Sequence, residues 1–406
     1  MRRPRLPARL RSALGPDARQ ALVSLSLNSS TSLVAGAFLG SIIGTLEDYP
    51  GLLVLVPAAI GMRGNIFGSF GNRVSTTIHA GTFTLSTRRD TVLGQNVLAA
   101  GILTVGIALI AAVVAKAIAV GLGLEGSIGL LDLATISIIG GVLGSVVVLA
   151  ATLGLTAGAV RYGWDLDNVT APLVSTLGDV LTLPALWVAT FLVGIAVFSA
   201  SLGVALTICA VPALVLGLRT SLPELRRIVR ESVPVLVVAA VLSAMAGIAL
   251  EKSFADFAAF PALLVLQPAF VSSAGALGGI MSGRLGSKLF LGVVEPESWP
   301  GRLARADIAF VYLLFVPIYA FNGIGAHFVA RALGERSPGL GPLVLLALLA
   351  GAVAMVFVVA VAYYGTIVAF RTGVDPDTYG IPVVSSSVDF VGAITLIVTI
   401  SLLSIT

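Results

Sequence analysis

The stretch Asp165-Leu-Asp-Asn-Val-Thr-Ala-Pro-Leu-Val-Ser-Thr-Leu-Gly-Asp179 decides the interpretation of this chain, because a second copy follows it 210 residues later. The second copy is Asp375-Pro-Asp-Thr-Tyr-Gly-Ile-Pro-Val-Val-Ser-Ser-Ser-Val-Asp389. Each copy begins with Asp-x-Asp, continues with a proline and two adjacent hydroxyl residues, and ends in a single aspartate. The uncharged residues that surround each final aspartate indicate that both lie in membrane-spanning segments.

The composition predicts a polytopic membrane protein. Of the 406 residues, 57% are hydrophobic and 11% are charged, and the mean hydropathy is +1.04. The uncharged runs 20–46 and 133–160 are each long enough to cross a bilayer. The net charge of +4 therefore reflects which loops face the cytoplasm, and it does not indicate nucleic-acid binding. The basic segment 1–19 precedes a run too long and too rich in hydroxyls for a signal peptide, so we expect a cytoplasmic tail and a retained first helix.

Two copies of a unit of about two hundred residues make up the chain. An offset of 211 relates Leu52-Leu-Val-Leu-Val-Pro57 to Leu263-Leu-Val-Leu-Gln-Pro268, and an offset of 210 relates the two aspartate segments. Each unit contains five predicted spans, and the apolar stretch 204–218 provides one further crossing between them. The predicted spans are 20–46, 51–86, 91–122, 132–160 and 169–201, then 232–250, 258–290, 306–331, 341–370 and 379–403.

The distribution of Lys and Arg selects one topology for these eleven helices. With a cytoplasmic N-terminus and an outer C-terminus, seventeen of these residues lie inside and three, Lys252, Arg331 and Arg336, lie outside. The sequence thus predicts an all-α fold of two parallel five-helix repeats, 20–203 and 232–406, related by a pseudo-twofold axis along the membrane normal. A linking helix and a basic cytoplasmic loop, 204–231, join them. We expect a multi-pass plasma-membrane protein that works as a monomer, since its repeats form an internal pseudo-dimer.

Asp179 and Asp389 are the candidate metal ligands. Asp179 is the only charged residue in 168–218, and Asp389 is the only one in 378–406. If a helix enters the bilayer near Asn168, Asp179 lies about 16 Å into it. An ionised Asp at that depth costs roughly 2.5 to 3.5 kcal/mol, which favours a functional role. A protonated or hydrogen-bonded packing carboxyl is the alternative.

Two facing carboxylates repel each other in a low dielectric, and a divalent cation between them removes the repulsion. Oxygen ligands without paired Cys or clustered His favour Mg²⁺ or a similar hard ion, which here would be the transported ion. Nearby hydroxyls can hold its waters or can simply pack between helices: Ser175, Thr176, Ser385 and Ser386. The Asp-x-Asp pairs can concentrate cations at the cytoplasmic mouth or cap the following helices: Asp165, Asp167, Asp375 and Asp377.

The second and eighth predicted spans contain unusual residues. Pro57 and Pro268 each remove a backbone hydrogen bond, which predicts irregular helices at these positions. Arg63 and Arg73 lie in or beside the first of these spans. They can pair with a carboxylate, extend their charged ends to the membrane surface or form part of a polar bend.

The segment Val56-Pro-Ala-Ala-Ile-Gly-Met-Arg-Gly-Asn65, together with Asn72-Arg-Val-Ser-Thr76 and the segment 165–179, resembles the MgtE magnesium channel family. The closer resemblance is to its solute carrier 41 branch, in which two such membrane domains are fused. This resemblance implies Mg²⁺ permeation between the halves and places the family's pore aspartate at Asp179 and Asp389. It makes Gly64, Asn65 and Asn168 candidate pore-lining residues. Ala276 stands where the second copy would need an Asn, so a symmetric ligand role for Asn65 is not implied.

Two other functions are compatible with paired intramembrane aspartates. One is Mg²⁺ exchange coupled to Na⁺ or H⁺, for which the hydroxyl-rich segment 28–32 can form a monovalent cation site. The other is an intramembrane aspartyl protease, in which the two carboxyls would share a proton as an acid and base pair. The sequence lacks the Gly-x-Gly-Asp pattern before Asp179, and parallel duplication is foreign to such proteases. We therefore expect a transporter and not an enzyme.

Overall fold

The computed structural model describes residues 16–79, 81–162, 166–193, 196–290, 292–372 and 381–405. Within these ranges the regular secondary structure is entirely helical, with no strand. The predicted all-α fold is confirmed.

Thirteen helices are found in the described residues, and they form two matching sets around a linking helix. The first set is α1 (Pro16–Ser41), α2 (Ile43–Asp48), α3 (Leu52–His79), α4 (Val92–Gly121), α5 (Leu130–Tyr162) and α6 (Leu166–Thr190). The linking helix is α7 (Ala196–Arg219). The second set is α8 (Pro223–Lys252), α9 (Phe254–Ala259), α10 (Ala262–Phe290), α11 (Arg302–Ala332), α12 (Leu340–Thr372) and α13 (Ile381–Leu402). The eleven long helices correspond to the predicted spans, and the short helices α2 and α9 form a further pair 211 residues apart.

Ten helices in the described part of the chain are long and apolar enough to cross a membrane. In α6 the side chains are described from Leu177 onward, and the described stretch Leu177–Thr190 is also apolar. Large apolar side chains such as Leu216, Phe328 and Val356 are exposed on the outside of the helix bundle. Lipid is the solvent in which such an exposed apolar surface is stable, so the chain is a multi-pass membrane protein.

Several helix bounds differ from the predicted spans. The span predicted at 51–86 ends at His79, and the one predicted at 169–201 ends at Thr190. The linking helix is longer than 204–218, and α8 already begins at Pro223, which is a favourable first residue of a helix. The arginines predicted in a basic loop, Arg226, Arg227 and Arg230, therefore lie in the first turns of α8. Hydropathy detects the lipid-buried part of a helix and misses its polar ends.

The helices α3 and α10 run without interruption through Pro57 and Pro268. The expectation of irregular helices at these two prolines was therefore wrong. A proline removes one backbone hydrogen bond, and tight packing against neighbouring helices can hold the remaining turns in place. Both prolines lie in the first two turns of their helices, where fewer intrahelical bonds depend on them.

The first long helix of each repeat packs against the other repeat. Helix α1 contacts α10 and α11, while α8 contacts α3 and α4. A β-carbon on Gly36 in α1 would overlap the backbone of Val265 in α10, and one on Gly247 in α8 would overlap the backbone of Val54 in α3. Gly247 lies 211 residues after Gly36, and Val54 lies 211 residues before Val265. The two contacts are thus equivalent, as expected for parallel repeats about a pseudo-twofold axis.

Candidate functional site

The carboxylates of Asp179 and Asp389 occupy equivalent places near the middle of α6 and α13. Asp179 follows the start of α6 by thirteen residues, or about 20 Å of helix. Its Oδ2 accepts hydrogen bonds from the hydroxyls of Ser32 in α1 and Ser272 in α10, each at 3.4 Å. Oδ2 of Asp389 accepts a hydrogen bond from Ser243 in α8 at 3.2 Å. Serine hydroxyls of α1 and α8, the two exchanged helices that pack against the opposite repeat, therefore bond to both carboxylates.

Each carboxylate also faces the opposite repeat. Ser272, which contacts Asp179 of the first repeat, belongs to the second repeat. Its counterpart 211 residues earlier is Gly61, and a β-carbon there would lie 3.8 Å from Oδ2 of Asp389 and 3.7 Å from Oγ of Ser243. Asp179 and Asp389 thus each lie at the interface between the repeats.

The electrostatics of this interface favour a cation. Within the described residues, neither Asp179 nor Asp389 has a Lys, Arg or His partner at ion-pair distance. Both residues are half-buried between the helices. Two unpaired carboxylates in an apolar interior carry a large desolvation cost, which a divalent cation between them would offset.

The ligand set around this interface is sparse. The part of the chain that the structure describes has no group of three or more His, Cys, Asp and Glu side chains that could hold a metal. Two carboxylates surrounded by serine hydroxyls suit a hard cation that keeps most of its own water, which is how Mg²⁺ usually binds to proteins. The chemistry of these side chains therefore fits the predicted ion.

Apart from Gly64 and Asn65, the other predicted site residues divide into three groups. Ser385 is half-buried and Ser386 is buried, both in the turn of α13 that precedes Asp389. For several others the structure describes only the backbone, which lies in α6: Asp167, Asn168, Ser175 and Thr176. Three lie outside the described residues altogether: Asp165, Asp375 and Asp377.

Gly64 and Asn65 lie in α3, just after the turn that faces Asp389. Asn65 is buried, and its Nδ2 has no hydrogen-bond partner within the described structure. Together with Ser69 and Arg73, one and two turns further along α3, it lines a narrow cleft. Ser232 of α8 and Pro382 of α13 complete this cleft, so both repeats contribute to it.

Among the described residues, Arg63 has no carboxylate at ion-pair distance and does not extend to the surface of the helix bundle. Its side chain is completely buried, and Nη2 donates a hydrogen bond to the backbone carbonyl of Gly140 at 2.6 Å. Arg73 donates from Nε to the amide oxygen of Asn96 at 2.7 Å. Arg284, the counterpart of Arg73, makes the equivalent bond to the carboxylate of Asp307 at 2.9 Å.

The surroundings of Asp179 are more polar than those of Asp389. Asn28 Nδ2 donates to Ser272 at 3.0 Å, and the hydroxyls of Ser29 and Ser273 lie 3.0 Å apart. Asn322 Nδ2 donates to Ser273 at 2.8 Å, while its buried Oδ1 has no partner in the described structure. The repeat offset of 211 replaces four of these residues with apolar ones: Ala239, Ala240, Met62 and Ala111. The polar network is therefore confined to one half of the interface.

Sequence reasoning missed Ser32, Ser243 and Ser272 as direct partners of the aspartates. Serine is common in membrane helices, and a hydroxyl has no cost that marks it as unusual in a sequence. One signal was present, because Ser32 and Ser243 are separated by the repeat offset of 211 residues. A search for polar residues shared by the first helices of both repeats would have found this pair.

Comparison with known proteins agrees with this architecture. The family model MgtE, described as divalent cation transporter, matches residues 56–189 and 267–399, more than half of the chain. Solute carrier family 41 member 3 of Rattus norvegicus is 22% identical over 376 residues, which cover 87% of this chain and 81% of that protein. The Mus musculus member 3 is 23% identical, with coverage of 85% and 74%. Member 2 of Homo sapiens is 23% identical, with coverage of 84% and 62%.

No solved structure matches the chain. The family model matches the two repeats separately, and each match contains one of the two central aspartates. Because the matching family consists of transporters, the two aspartates are not interpreted as the catalytic pair of an intramembrane protease. Because the family model matches both repeats, the chain belongs to the MgtE family of divalent cation transporters.

Proposed function

We propose that this chain carries Mg²⁺ across the plasma membrane through a path between its two repeats, with Asp179 and Asp389 as the central ion site. The observation that supports this best is the position of the two carboxylates. Ser272 of the opposite repeat donates a hydrogen bond to Asp179, and a β-carbon on Gly61 of the opposite repeat would lie 3.8 Å from Asp389. An ion between the repeats would therefore meet both carboxylates at once.

The site suits an ion that keeps its water. Mg²⁺ sheds water slowly, so two carboxylates can hold it by accepting hydrogen bonds from its bound waters. The hydroxyls of Ser32, Ser243 and Ser272 orient the carboxylates and can accept further water hydrogen bonds. Binding through water is weak enough for release, which conduction requires. Ser175, Thr176, Ser385 and Ser386 remain candidates for holding the same waters.

The cleft lined by Asn65, Ser69 and Arg73 provides the inner part of the proposed path. Asn65 follows Gly61, the residue beside Asp389, by one turn of α3. With a cytoplasmic N-terminus, α3 runs inward, so the cleft leads from the carboxylates toward the cytoplasm. Gly64 and Asn168 are proposed to line the path near this cleft. The proposed cytoplasmic mouth holds the four outer aspartates: Asp165, Asp167, Asp375 and Asp377.

Mg²⁺ uptake by Mg²⁺-starved cells tests this function. We expect Asp179→Asn and Asp389→Asn each to abolish uptake, because the amide keeps the shape of the side chain and removes the charge that attracts the ion. Asp48→Asn, at an exposed position in the short helix α2, is the matched control and should leave uptake unchanged. Normal uptake by both central variants, at normal membrane abundance, would contradict the proposal.

A second candidate is exchange of Mg²⁺ for Na⁺ or H⁺, and the polar network beside Asp179 favours it. The unpartnered oxygen of Asn322 and the hydroxyls of Ser29 and Ser273 are ligands of the type that a monovalent cation binds. Mg²⁺ flux into liposomes that contain only this protein separates the two candidates. An exchanger's Mg²⁺ flux reverses when the imposed Na⁺ or H⁺ gradient is reversed. A channel's flux follows voltage and the Mg²⁺ gradient alone.

A further inference from the structure

Arg63 is a buried charge without an acidic partner. Its side chain has no exposed surface, and Nε makes no hydrogen bond within the described structure. The two contacts of the guanidinium are backbone carbonyls, Gly140 at 2.6 Å and Ala59 at 3.5 Å. Arginine stays protonated in proteins, and buried charges are normally paired. The interior of the first repeat therefore holds a positive charge that no carboxylate neutralises at ion-pair distance among the described residues.

The protein provides a specific space for this guanidinium. A β-carbon on Gly144 of α5 would lie 2.8 Å from Nε and 2.9 Å from Cζ of Arg63, so only glycine leaves enough room. In the second repeat the counterparts of Arg63 and Gly144 are Ala274 and Ala354, and both are completely buried. The equivalent positions of the two repeats thus hold a charge and a glycine in the first and two buried alanines in the second.

The guanidinium is attached beside the turn that carries Asp179. A β-carbon on Gly178, the residue before Asp179, would lie 3.6 Å from Cβ of Arg63. On α3, Arg63 is two residues from Gly61, which faces Asp389. Arg63 is therefore packed against the turn that precedes Asp179, with its guanidinium directed toward α5 and without direct contact to either aspartate.

We propose that Arg63 is a fixed counter-charge for the empty carboxylate pair, and that it weakens divalent cation binding so that the ion is released quickly. The proposal rests on the function proposed above. Two carboxylates alone would leave a charge of −2 when no ion is bound. The guanidinium lowers the energy of that empty state and repels the arriving cation.

The expected effect is large enough to measure. At a separation on the order of 10 Å and an effective dielectric constant of about 20, one pair of unit charges changes an equilibrium constant roughly tenfold. Because Mg²⁺ carries two charges, its affinity should respond by at least about this factor. Removing the charge of Arg63 should therefore tighten Mg²⁺ binding and slow its release.

Mg²⁺ flux into liposomes containing the full chain tests the proposal, measured over a range of Mg²⁺ concentrations. Arg63→Ala/Gly144→Ala gives the first repeat the residues that the second repeat already has, and removes the charge without leaving a large cavity. Arg63→Gln is a second neutral variant, and it decides the result if the double variant does not fold. Arg63→Lys keeps the charge and is the matched control.

We expect both neutral variants to reach half-maximal flux at an Mg²⁺ concentration at least about tenfold lower than the unmodified chain, with a lower maximal flux. Arg63→Lys should stay within about threefold of the unmodified chain. A folded neutral variant with unchanged half-maximal concentration would overturn the inference while leaving the transport proposal intact. If Arg63→Lys behaved like the neutral variants, the inference would also be overturned, because the arginine would then be needed for its shape and not for its charge. Absence of Mg²⁺ flux through the unmodified chain would overturn both proposals together.

Discussion

At the scale of single residues, the centre of the molecule is a pair of aspartates held by hydroxyls from the exchanged helices α1 and α8. Ser32 and Ser243 make the same contact in the two halves, whereas Ser272 has only Gly61 as its counterpart. These hydroxyls fix the direction of each carboxylate toward the interface. Orientation of the carboxylates therefore depends on residues far away in the sequence.

We predict that Ser32→Ala and Ser243→Ala each weaken Mg²⁺ activation of flux about fivefold, because each removes a hydrogen bond worth about 1 kcal/mol from a carboxylate. Ser30→Ala is the control, since Ser30 is exposed and bonds only to the carbonyl of Ser26. The half-maximal Mg²⁺ concentration in liposomes is the measurement. Unchanged values for both variants would show that these hydroxyls do not orient the ligands.

A second residue-scale prediction concerns Asp307, which is buried between Arg284 at 2.9 Å and Lys288 at 2.5 Å. Asp307→Ala leaves two cations beside a buried cavity, and we expect a loss of about 3 to 5 kcal/mol in the free energy of unfolding. Asp307→Asn should be clearly milder, because the first repeat already uses Asn96 opposite Arg73. Thermal unfolding in detergent compares the two, and equal losses would contradict this explanation.

The sequence revealed the two aspartates because a charge in an apolar span is costly and therefore rare. It did not reveal the partner of Arg63, although Arg63 is just as costly. The reason is that a backbone carbonyl such as that of Gly140 accepts its hydrogen bond, and carbonyls carry no sequence signature. Contacts of carboxylates with serines from other helices depend on tertiary packing and are invisible for the same reason.

At the scale of helices, the exchange of α1 and α8 between the repeats is the contact that defines the interface. It depends on two glycines, Gly36 and Gly247, that allow the helix backbones to approach within van der Waals distance. The proposed ion site takes two of its serines from these same two helices. Packing at the glycines therefore sets the positions of Ser32 and Ser243 relative to the aspartates.

We predict that Gly36→Leu and Gly247→Leu each lower the melting temperature by about 5 °C or more, because the new side chain would overlap the backbone of α10 or α3. Gly44→Leu in the short helix α2 is the control, since a β-carbon there meets no atom within 4 Å. Thermal unfolding monitored by fluorescence is the measurement. Melting at the control temperature in both interface variants would rule out the close helix contact.

The number and order of the long helices followed from hydropathy and from the repeat. Their ends did not, as the early start of α8 at Pro223 illustrates. The exchange of first helices was also not predictable, since the same ten spans could pack within their own repeats. Gly36 and Gly247 are separated by the repeat offset of 211 residues, and only this separation indicates from the sequence that they have the same role.

At the scale of the whole molecule, parallel repeats require that equivalent positions lie on the same side of the membrane. Ser41 and Lys252 are 211 residues apart, both exposed, and lie at the ends of α1 and α8. Arg88 and Ser298 form a second exposed pair in the loops before α4 and α11. The orientation proposed from the positive charges places the first pair outside and the second pair inside.

We predict that a membrane-impermeant maleimide labels cysteines at positions 41 and 252 in intact cells, and labels those at positions 88 and 298 only after permeabilisation. The exposed native Cys209 is replaced by serine in all four variants. Labelling of one member of a pair from each side would contradict the parallel arrangement. Labelling of positions 88 and 298 in intact cells, with positions 41 and 252 labelled only after permeabilisation, would instead reverse the proposed orientation.

The most direct test of the central claim is the stoichiometry of Mg²⁺ binding to the purified chain, measured by titration calorimetry in detergent. If one hydrated ion lies between Asp179 and Asp389, Asp179→Asn and Asp389→Asn must each remove the same single binding event. The unmodified chain is then expected to bind one Mg²⁺ that neither variant binds. An unchanged titration in either variant would show that the ion does not depend on both carboxylates, and would contradict the account.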